Sequence, residues 1–422
     1  MLRRQALMES LSSNLHGFLK KTGENLSLPN KKFLRDSFIG LIRAGKPVVS
    51  EMARQLPNQN TKFLSRLDRL ENHLVKDSNF DDQVKDALPQ FWQPLVQDDT
   101  AIILDLSDLA KPLARKMDYL ATVRDGSTGE LVNGYWLVEL YASVSRKNPV
   151  PILLEPFSHE QPYNAGQNPV VLRAVHKVFE VTNNRGVLVA DRGFDARRMF
   201  EDWLDNRYRF VVRLVGKRHL LRFFRDCEQS DTGQWVAVQS RQLAEQTPTV
   251  YRYSKLVRRH GRVNFRITQI GWVKVRLPGR DEELTMVVCR MAGDDTPLML
   301  LTNLPVEGRR DARRILRYYI RRWECEEAIR FLKSQVNLER IRTFRWAAIC
   351  RLVLLAVLVM IYLGLLVETH PSMSERLIYL SQPLPDKVEF LAYRLLRGLT
   401  EAINLCFWLH KDLLRRNLCE NP

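Results

Sequence analysis

Apolar and charged residues alternate without a Gly or Pro from Asp311 to Gln335, DARRILRYYIRRWECEEAIRFLKSQ, and that pattern predicts one long helix. At about 100° per residue, Tyr319, Arg322, Glu326, Arg330 and Lys333 share a stripe covering about a quarter of the circumference. Leu316, Tyr318, Ile320, Trp323, Cys325, Ala328, Ile329, Phe331 and Leu332 fill the remainder, so most of the helix should be buried and the stripe should face a cleft. One carboxylate among cations on such a helix suggests a polyanion site. The plain alternative is a row of solvated i,i+4 pairs, each contributing a few tenths of a kcal/mol.

Residues 1–95 read as helices broken at Pro29, Gly45 to Pro47 and Pro57 to Asn60. Val49 to Leu56 and Thr61 to Val75 have the outline of a helix-turn-helix, with Lys62, Arg66 and Arg69 spaced to meet phosphates; a helical hairpin with a wet basic face reads equally well. Pro89 to Asp99 is a linker by composition. A strand, Ala101 to Leu104, then ends in Asp105. Thr122 to Ser143 reads as a hairpin turning at Asp125-Gly126, Val150 to Leu154 as a third strand, and Pro169 to Val181 as a helix. Gly186 to Ala190 is a buried-type strand ending in Asp191-Arg192-Gly193-Phe194-Asp195, where Gly193 would permit a sharp exit before a helix near Ala196. Tyr208 to Leu214 gives a further strand. From about 216 to 302 the runs are short and β-type, including Trp235 to Val238, Val263 to Val275 and Leu284 to Cys289. Between Arg351 and Glu368 lie sixteen uninterrupted apolar residues, Leu352 to Val367. A spanning helix wants eighteen or more, so a core helix is the reading. Amphipathic helical runs close the chain from Pro371 to Pro422.

Charge narrows the choice of partner. Lys and Arg number 65 against 48 Asp and Glu in 422 residues, a net +17, which favours a nucleic acid or an anionic membrane. Residues 251–280 hold nine Lys or Arg and no acid, interleaved with Tyr251, Tyr253, Phe265 and Trp272. Cations there suit a phosphate backbone and aromatics an unpaired base; a small sheet with charge-protected edges is the other reading. The six Cys form no zinc-type spacing and read as reduced thiols of a cytosolic protein. The first residues, MLRRQALMESLSSNLHG, lack the apolar core of a signal peptide, so secretion is not expected.

The order Tyr319-x2-Arg322-x3-Glu326-x6-Lys333 resembles the YREK signature of the bacterial insertion-sequence DDE transposases, and Asp191-Arg192-Gly193-Phe194 resembles the segment that carries their second acid. The resemblance implies an α/β fold: an RNase H-like mixed-sheet catalytic core in two parts, 96–215 and 303–370, the second bearing the catalytic helix. A β-rich insertion, 216–302, would interrupt it. A helical DNA-binding region, 1–95, and a C-terminal helical region, 371–422, would flank it. The implied activity is metal-dependent strand cleavage and strand transfer at the inverted ends of the protein's own insertion sequence. Its partners would be end and target double-stranded DNA and a second copy of the chain, in the cytoplasm at the nucleoid and not on a membrane.

That chemistry calls for two magnesium ions about 3.5–4 Å apart, with manganese as a substitute. Asp105, Asp191 and Glu326 are the implied catalytic residues and metal ligands, Asp105 bridging both ions. Tyr319, Arg322 and Lys333 would hold phosphates, with Arg330, Arg192, Lys62 and Arg66 as further DNA contacts. Asp98, Asp99 and Asp108 compete with Asp105, Asp195 with Asp191, and Glu324 and Glu327 with Glu326. Asp105 stands in LDLSDLAKP, whereas the Asp-Asp-Thr form common at the family's first acid is found at Asp98-Asp99-Thr100. A regulator that binds DNA without cutting it, or an inactive descendant of such an enzyme, remains the alternative.

Overall fold

The expected N-terminal helices form as α1 (Leu2–Thr22), α2 (Leu28–Ala44), α3 (Val49–Gln55), α4 (Phe63–Val75) and α5 (Asn79–Ala87), and a further short helix, α6 (Pro89–Trp92), forms where a linker was expected. Pro29 sits in the first turn of α2, where no N–H is needed, and Gly45 ends that helix at φ 63°, its N–H donating to the Leu41 carbonyl. The computed structural model describes residues 2–56, 61–76, 79–145, 148–162, 166–225, 233–259, 262–381 and 390–409, and the side chains of 2–4, 225, 255–266 and 406–409 fall outside that description. The expected break at Pro57 to Asn60, the Phe265 ring and the last stretch of the chain therefore lie outside the described residues.

Strands follow as β1 (Ala101–Ala110), β2 (Ala121–Arg124), β3 (Leu131–Ser145) and β4 (Asn148–Phe157), then α7 (Gln167–Val181), β5 (Val187–Ala190), α8 (Arg197–Asp205) and β6 (Phe210–Arg213). The β-rich portion comprises β7 (His219–Arg225), β8 (Gly233–Gln239), α9 (Ser240–Gln246), β9 (Tyr251–Arg259), β10 (Arg262–Val275), β11 (Leu284–Met291) and β12 (Leu298–Thr302). The chain continues through α10 (Arg309–Arg321), α11 (Trp323–Ser334), α12 (Trp346–Thr369), α13 (Pro371–Leu380) and α14 (Ala392–Leu409).

These elements form two compact units that share the chain in alternation. One comprises Met1–Gln97, Leu106–Thr182 and Glu324–Pro422; the other comprises Asp98–Asp105 and Asn183–Trp323. In the second unit a mixed sheet runs β1, β5, β6, β12, β11, β10, β9. The first three strands are parallel, with Leu104 opposite Ala190 and Ala190 opposite Val212, and the rest are antiparallel. The segments that pair in parallel, 101–104 of β1, β5 and 210–212 of β6, are unbroken apolar runs, as strands covered on both faces must be. In the first unit β3 lies between β2 and β4, and its Asn133 carbonyl accepts from Lys111 N–H just past the end of β1.

Two expectations are corrected here. First, β1 does not stop at Leu104 but runs to Ala110. Its pairing with β5 ends at Leu104, and β3 supports the residues beyond, so Asp105 is a mid-strand residue at the end of the parallel pairing. Second, residues 311–335 are two helices. Arg322 keeps helical angles (φ −52°, ψ −34°), but its N–H donates to Tyr319, one residue short of the α-helical partner, which tightens the turn and ends α10. Tyr319 and Arg322 thus belong to one unit and Glu326, Arg330 and Lys333 to the other. Ile320 and Trp323, expected to be buried, are 38% and 50% exposed.

Helix α12 is the one described helix long and apolar enough to cross a membrane, yet 89% of its most apolar window is buried inside the protein. Near its start Arg351 is buried too. Its guanidinium meets both oxygens of Asp81 (2.8 and 3.2 Å), donates to the carbonyls of His73 and Lys76, and lies over the Phe80 ring. Removing the acid strands a buried cation. Asp81→Ala should therefore destabilise the protein by about 3 kcal/mol, measured by denaturant titration, whereas Arg351→Met should cost clearly less.

A second buried cation ties strand to helix. Lys111 donates to the carbonyls of Leu338, Glu339 and Ile341 at 3.3, 2.6 and 3.1 Å, holding the short turn Leu338–Arg340 that follows α11. Burial pushes this amine down to about 7, with the charge of Glu339 opposing. In the unfolded chain it stays charged until about pH 10.4. Above pH 7 the unfolded state then binds more protons, so this group's contribution favours folding more as pH rises. The stability of Lys111→Met relative to the wild type should fall between about pH 7 and pH 9 in paired urea titrations; a constant difference would show that Lys111 does not titrate in this window.

Candidate active site

Because Leu104 and Ala190 are register partners on adjacent parallel strands, Asp105 and Asp191 follow side by side at a strand spacing of about 4.8 Å. Asp191 caps the short turn Arg192–Phe194, its Oδ1 accepting from Arg192 N–H at 2.7 Å. Phe194 is buried and pins the turn, while Arg192 and Gly193 are exposed. Gly193 is not left-handed, and nothing lies within 4 Å of where its Cβ would stand. The glycine is therefore not required by the turn, as its position had implied, but it leaves the approach beside Asp191 bare.

The last turns of α10 bring a donor to each acid. Tyr319 Oη donates to Asp191 Oδ1 at 3.0 Å, and Arg322 Nη1 to Asp105 Oδ2 at 3.1 Å. Both donors are buried, whereas the acids keep 29% and 26% of their side-chain surface in the order Asp191, Asp105. Burial raises the Tyr319 hydroxyl above its ordinary value, the Asp191 charge adds to this, and the bond from Arg213 opposes it. Arg213, at the end of the third parallel strand, lies 3.9 Å from Asp191 Oδ1 and donates to Tyr319 Oη at 3.5 Å. The sequence reading missed Arg213. Its signal was a lone cation closing the apolar run Phe210-Val211-Val212, the pattern used to find both acids.

The competing acids are mostly committed elsewhere. Asp98 pairs with Arg209 at 3.0 Å. Asp195 is fully buried at its side chain and takes Arg218 Nε at 2.6 Å and Val215 N–H at 2.7 Å. Burial raises its carboxyl and those two donors pull it back, which suits a brace under the turn. In the other unit Asp108 accepts from Gly126 N–H and Lys333, Glu324 accepts from Ser143 Oγ at 2.6 Å, and Glu327 pairs with Arg330 at 2.7 Å.

In that unit Glu326 is exposed in the first turn of α11. Lys333, in the last turn, stands between Asp108 (2.9 Å) and Glu339 (3.3 Å), and Arg330 reaches into solvent beside Glu327. On α4 only Lys62 of the basic trio is a plain exposed cation. Arg66 donates to the Leu56 carbonyl at 3.3 Å, and Arg69 is drawn onto the buried Asp36. Both readings of this trio, phosphate contact and a wet basic face, took it as free cations; Arg66 and Arg69 instead hold α4 to its neighbours.

Among the described residues no three His, Cys, Asp or Glu side chains are grouped closely enough to hold a metal among themselves. The Asp105–Asp191 pair nevertheless supplies the hard oxygen donors that magnesium prefers. Such an ion is commonly held by one or two carboxylates, with water and phosphate completing the octahedron. On donor type the pair fits.

The family model for the transposase DDE domain matches residues 157–362. Compared with curated proteins, the chain finds no match. Among solved structures it is similar to the cryo-EM structure of a piggyBac transposase synaptic complex with hairpin DNA, at 10% identity and a TM-score of 0.46, covering 92% of this chain and 76% of that one. The stretch that matches a transposase DDE domain thus contains Asp191, Tyr319, Arg322, Glu326 and Lys333, while Asp105 precedes it.

Proposed function

We propose that the protein is a DNA transposase that cleaves and rejoins strands at the inverted ends of its own insertion sequence. The observation that carries this reading is the pair of acids that follow the last paired residues of two adjacent parallel strands, each met by a donor from the YREK segment, within or beside residues that match a transposase DDE domain. Magnesium or manganese, when bound, would supply charge that eases deprotonation of the attacking oxygen and departure of the leaving one. Asp105 and Asp191 hold that charge, and Glu326 is the third ligand by its place in the signature.

The cations bind and orient the DNA. Arg322 offers a planar fork suited to a phosphate beside Asp105, and Tyr319 a hydroxyl beside Asp191. Arg213 adds a cation to the same edge. Arg192, Arg330 and Lys62, all exposed, extend phosphate contact outward. Lys333 must exchange Asp108 or Glu339 for a phosphate if it contacts the duplex.

Glu326→Gln changes one exposed charge at constant size and should leave folding intact. With a fragment carrying the flanking inverted repeat, nicking that needs magnesium or manganese should fall by about 10³-fold, the equivalent of several kcal/mol. Binding without metal-dependent cleavage by the wild type would favour the regulator. Lys333→Ala should make binding to end DNA less salt-dependent, lowering the slope of log K against log salt by about 0.9. An unaltered slope would mark Lys333 as a structural cation only.

A further inference from the structure

The loop 111–120, between β1 and β2, and the segment 338–346, ahead of α12, are sewn together within one unit. Lys111 binds the carbonyls of Leu338, Glu339 and Ile341 at one end. At the other, Asp118 N–H donates to the Phe344 carbonyl at 2.8 Å and Asp118 Oδ2 accepts from Trp346 N–H at 3.1 Å. The Tyr135 hydroxyl donates to the Asp118 carbonyl, and the Trp346 ring packs on Tyr135 and Tyr119. Neither segment is regular structure through 112–120 and 341–345, yet both are fixed.

Two large apolar side chains leave this platform for solvent: Leu113, 93% exposed, and Phe344, 66% exposed. A single exposed leucine means little, since apolar residues are scattered over every surface. These two flank a set of cations. Arg115, Lys116, Arg342 and Arg345 are exposed and take part in no ion pair among the described residues. No acid occurs in Lys111–Met117 or Arg340–Cys350. Burying both apolar side chains would have favoured folding, and the fold instead spends hydrogen bonds on holding them out.

We propose that this platform is a duplex-distorting contact: the cations lie along the phosphates while Phe344 and Leu113 enter between base steps and kink the DNA. Cations with phenylalanine or leucine wedges are a known chemistry for unstacking a duplex, and a wedge on a pre-fixed loop enters without a further ordering cost. A membrane surface would need a continuous apolar face, which two separate side chains do not make. The inference rests on the DNA partner proposed above and names a second surface through which the chain acts on it.

The test uses the full chain with a duplex carrying the flanking inverted repeat, 2-aminopurine placed at successive steps and dyes on both ends to read bending. Wild type should raise 2-aminopurine fluorescence several-fold at one or two steps and shorten the end-to-end distance. Phe344→Ala with Leu113→Ala should lose both signals in the bound complex, and Phe344→Trp should retain them. Because both side chains are exposed, the melting temperature of the double variant should equal that of wild type. Arg342→Gln with Arg345→Gln should weaken binding and lower its salt slope while leaving distortion per bound complex unchanged. Equal distortion by wild type and the double variant overturns the wedge. So does binding to anionic vesicles that needs Phe344 while DNA distortion does not. Distortion that depends on Phe344 without metal-dependent cleavage would sustain the wedge and sink the transposase reading; the reverse pattern would do the opposite.

Discussion

Two carboxylates that follow paired residues of adjacent parallel strands repel each other. Two like charges about 5 Å apart at an effective dielectric near 20 cost about 3 kcal/mol, large against the stability of an ordinary domain. The second unit answers with a guanidinium on Asp105, a hydroxyl on Asp191 and a further guanidinium close to both Tyr319 and Asp191. The bend at the end of α10 is part of that answer, because it falls at the residue whose side chain reaches Asp105. A site so arranged is loaded with charge and already compensated within one unit.

The first unit solves a similar problem with longer reach. Asp108, Lys333 and Glu339 alternate in sign from β1 to the turn after α11, and Lys111 donates to that turn's carbonyls. The network fixes the C-terminal end of the helix that carries Glu326. Arg351 does the same for α12, anchoring an otherwise apolar helix to α4 and α5 through Asp81 and two carbonyls.

Much of this was legible in the pattern of residues. The parallel-paired segments 101–104 and 187–190 announced themselves as short apolar runs, and the acids that follow them stood out for that reason. The hairpin at Asp125-Gly126 formed as its turn residues implied, with the Asp125 carbonyl accepting from Gly129 and its side chain from Ser127. What periodicity could not show is which hydrogen bond each N–H makes. Residues 311–335 carry an unbroken helical pattern, and a single shortened bond at Arg322 divides them. Nor could it show that β1 continues past Asp105, since that depends on β3 as a neighbour. Arg69 looked like a solvated cation because its partner, Asp36, is thirty-three positions away.

The alternation of the chain between units constrains how it can be made. Residues 1–97 share a unit with Glu324–Pro422, and their core is closed by α12: the Tyr362 ring lies against Phe18 and Phe38, and its hydroxyl donates to Asn14. On a ribosome the N-terminal helices therefore emerge long before the helix that covers them, with Phe18 and Phe38 open to water until residue 362 has been added. The second unit has no such delay once β12 and α10 are out, so the unit that begins later in the chain is completed first and is positioned to fold first.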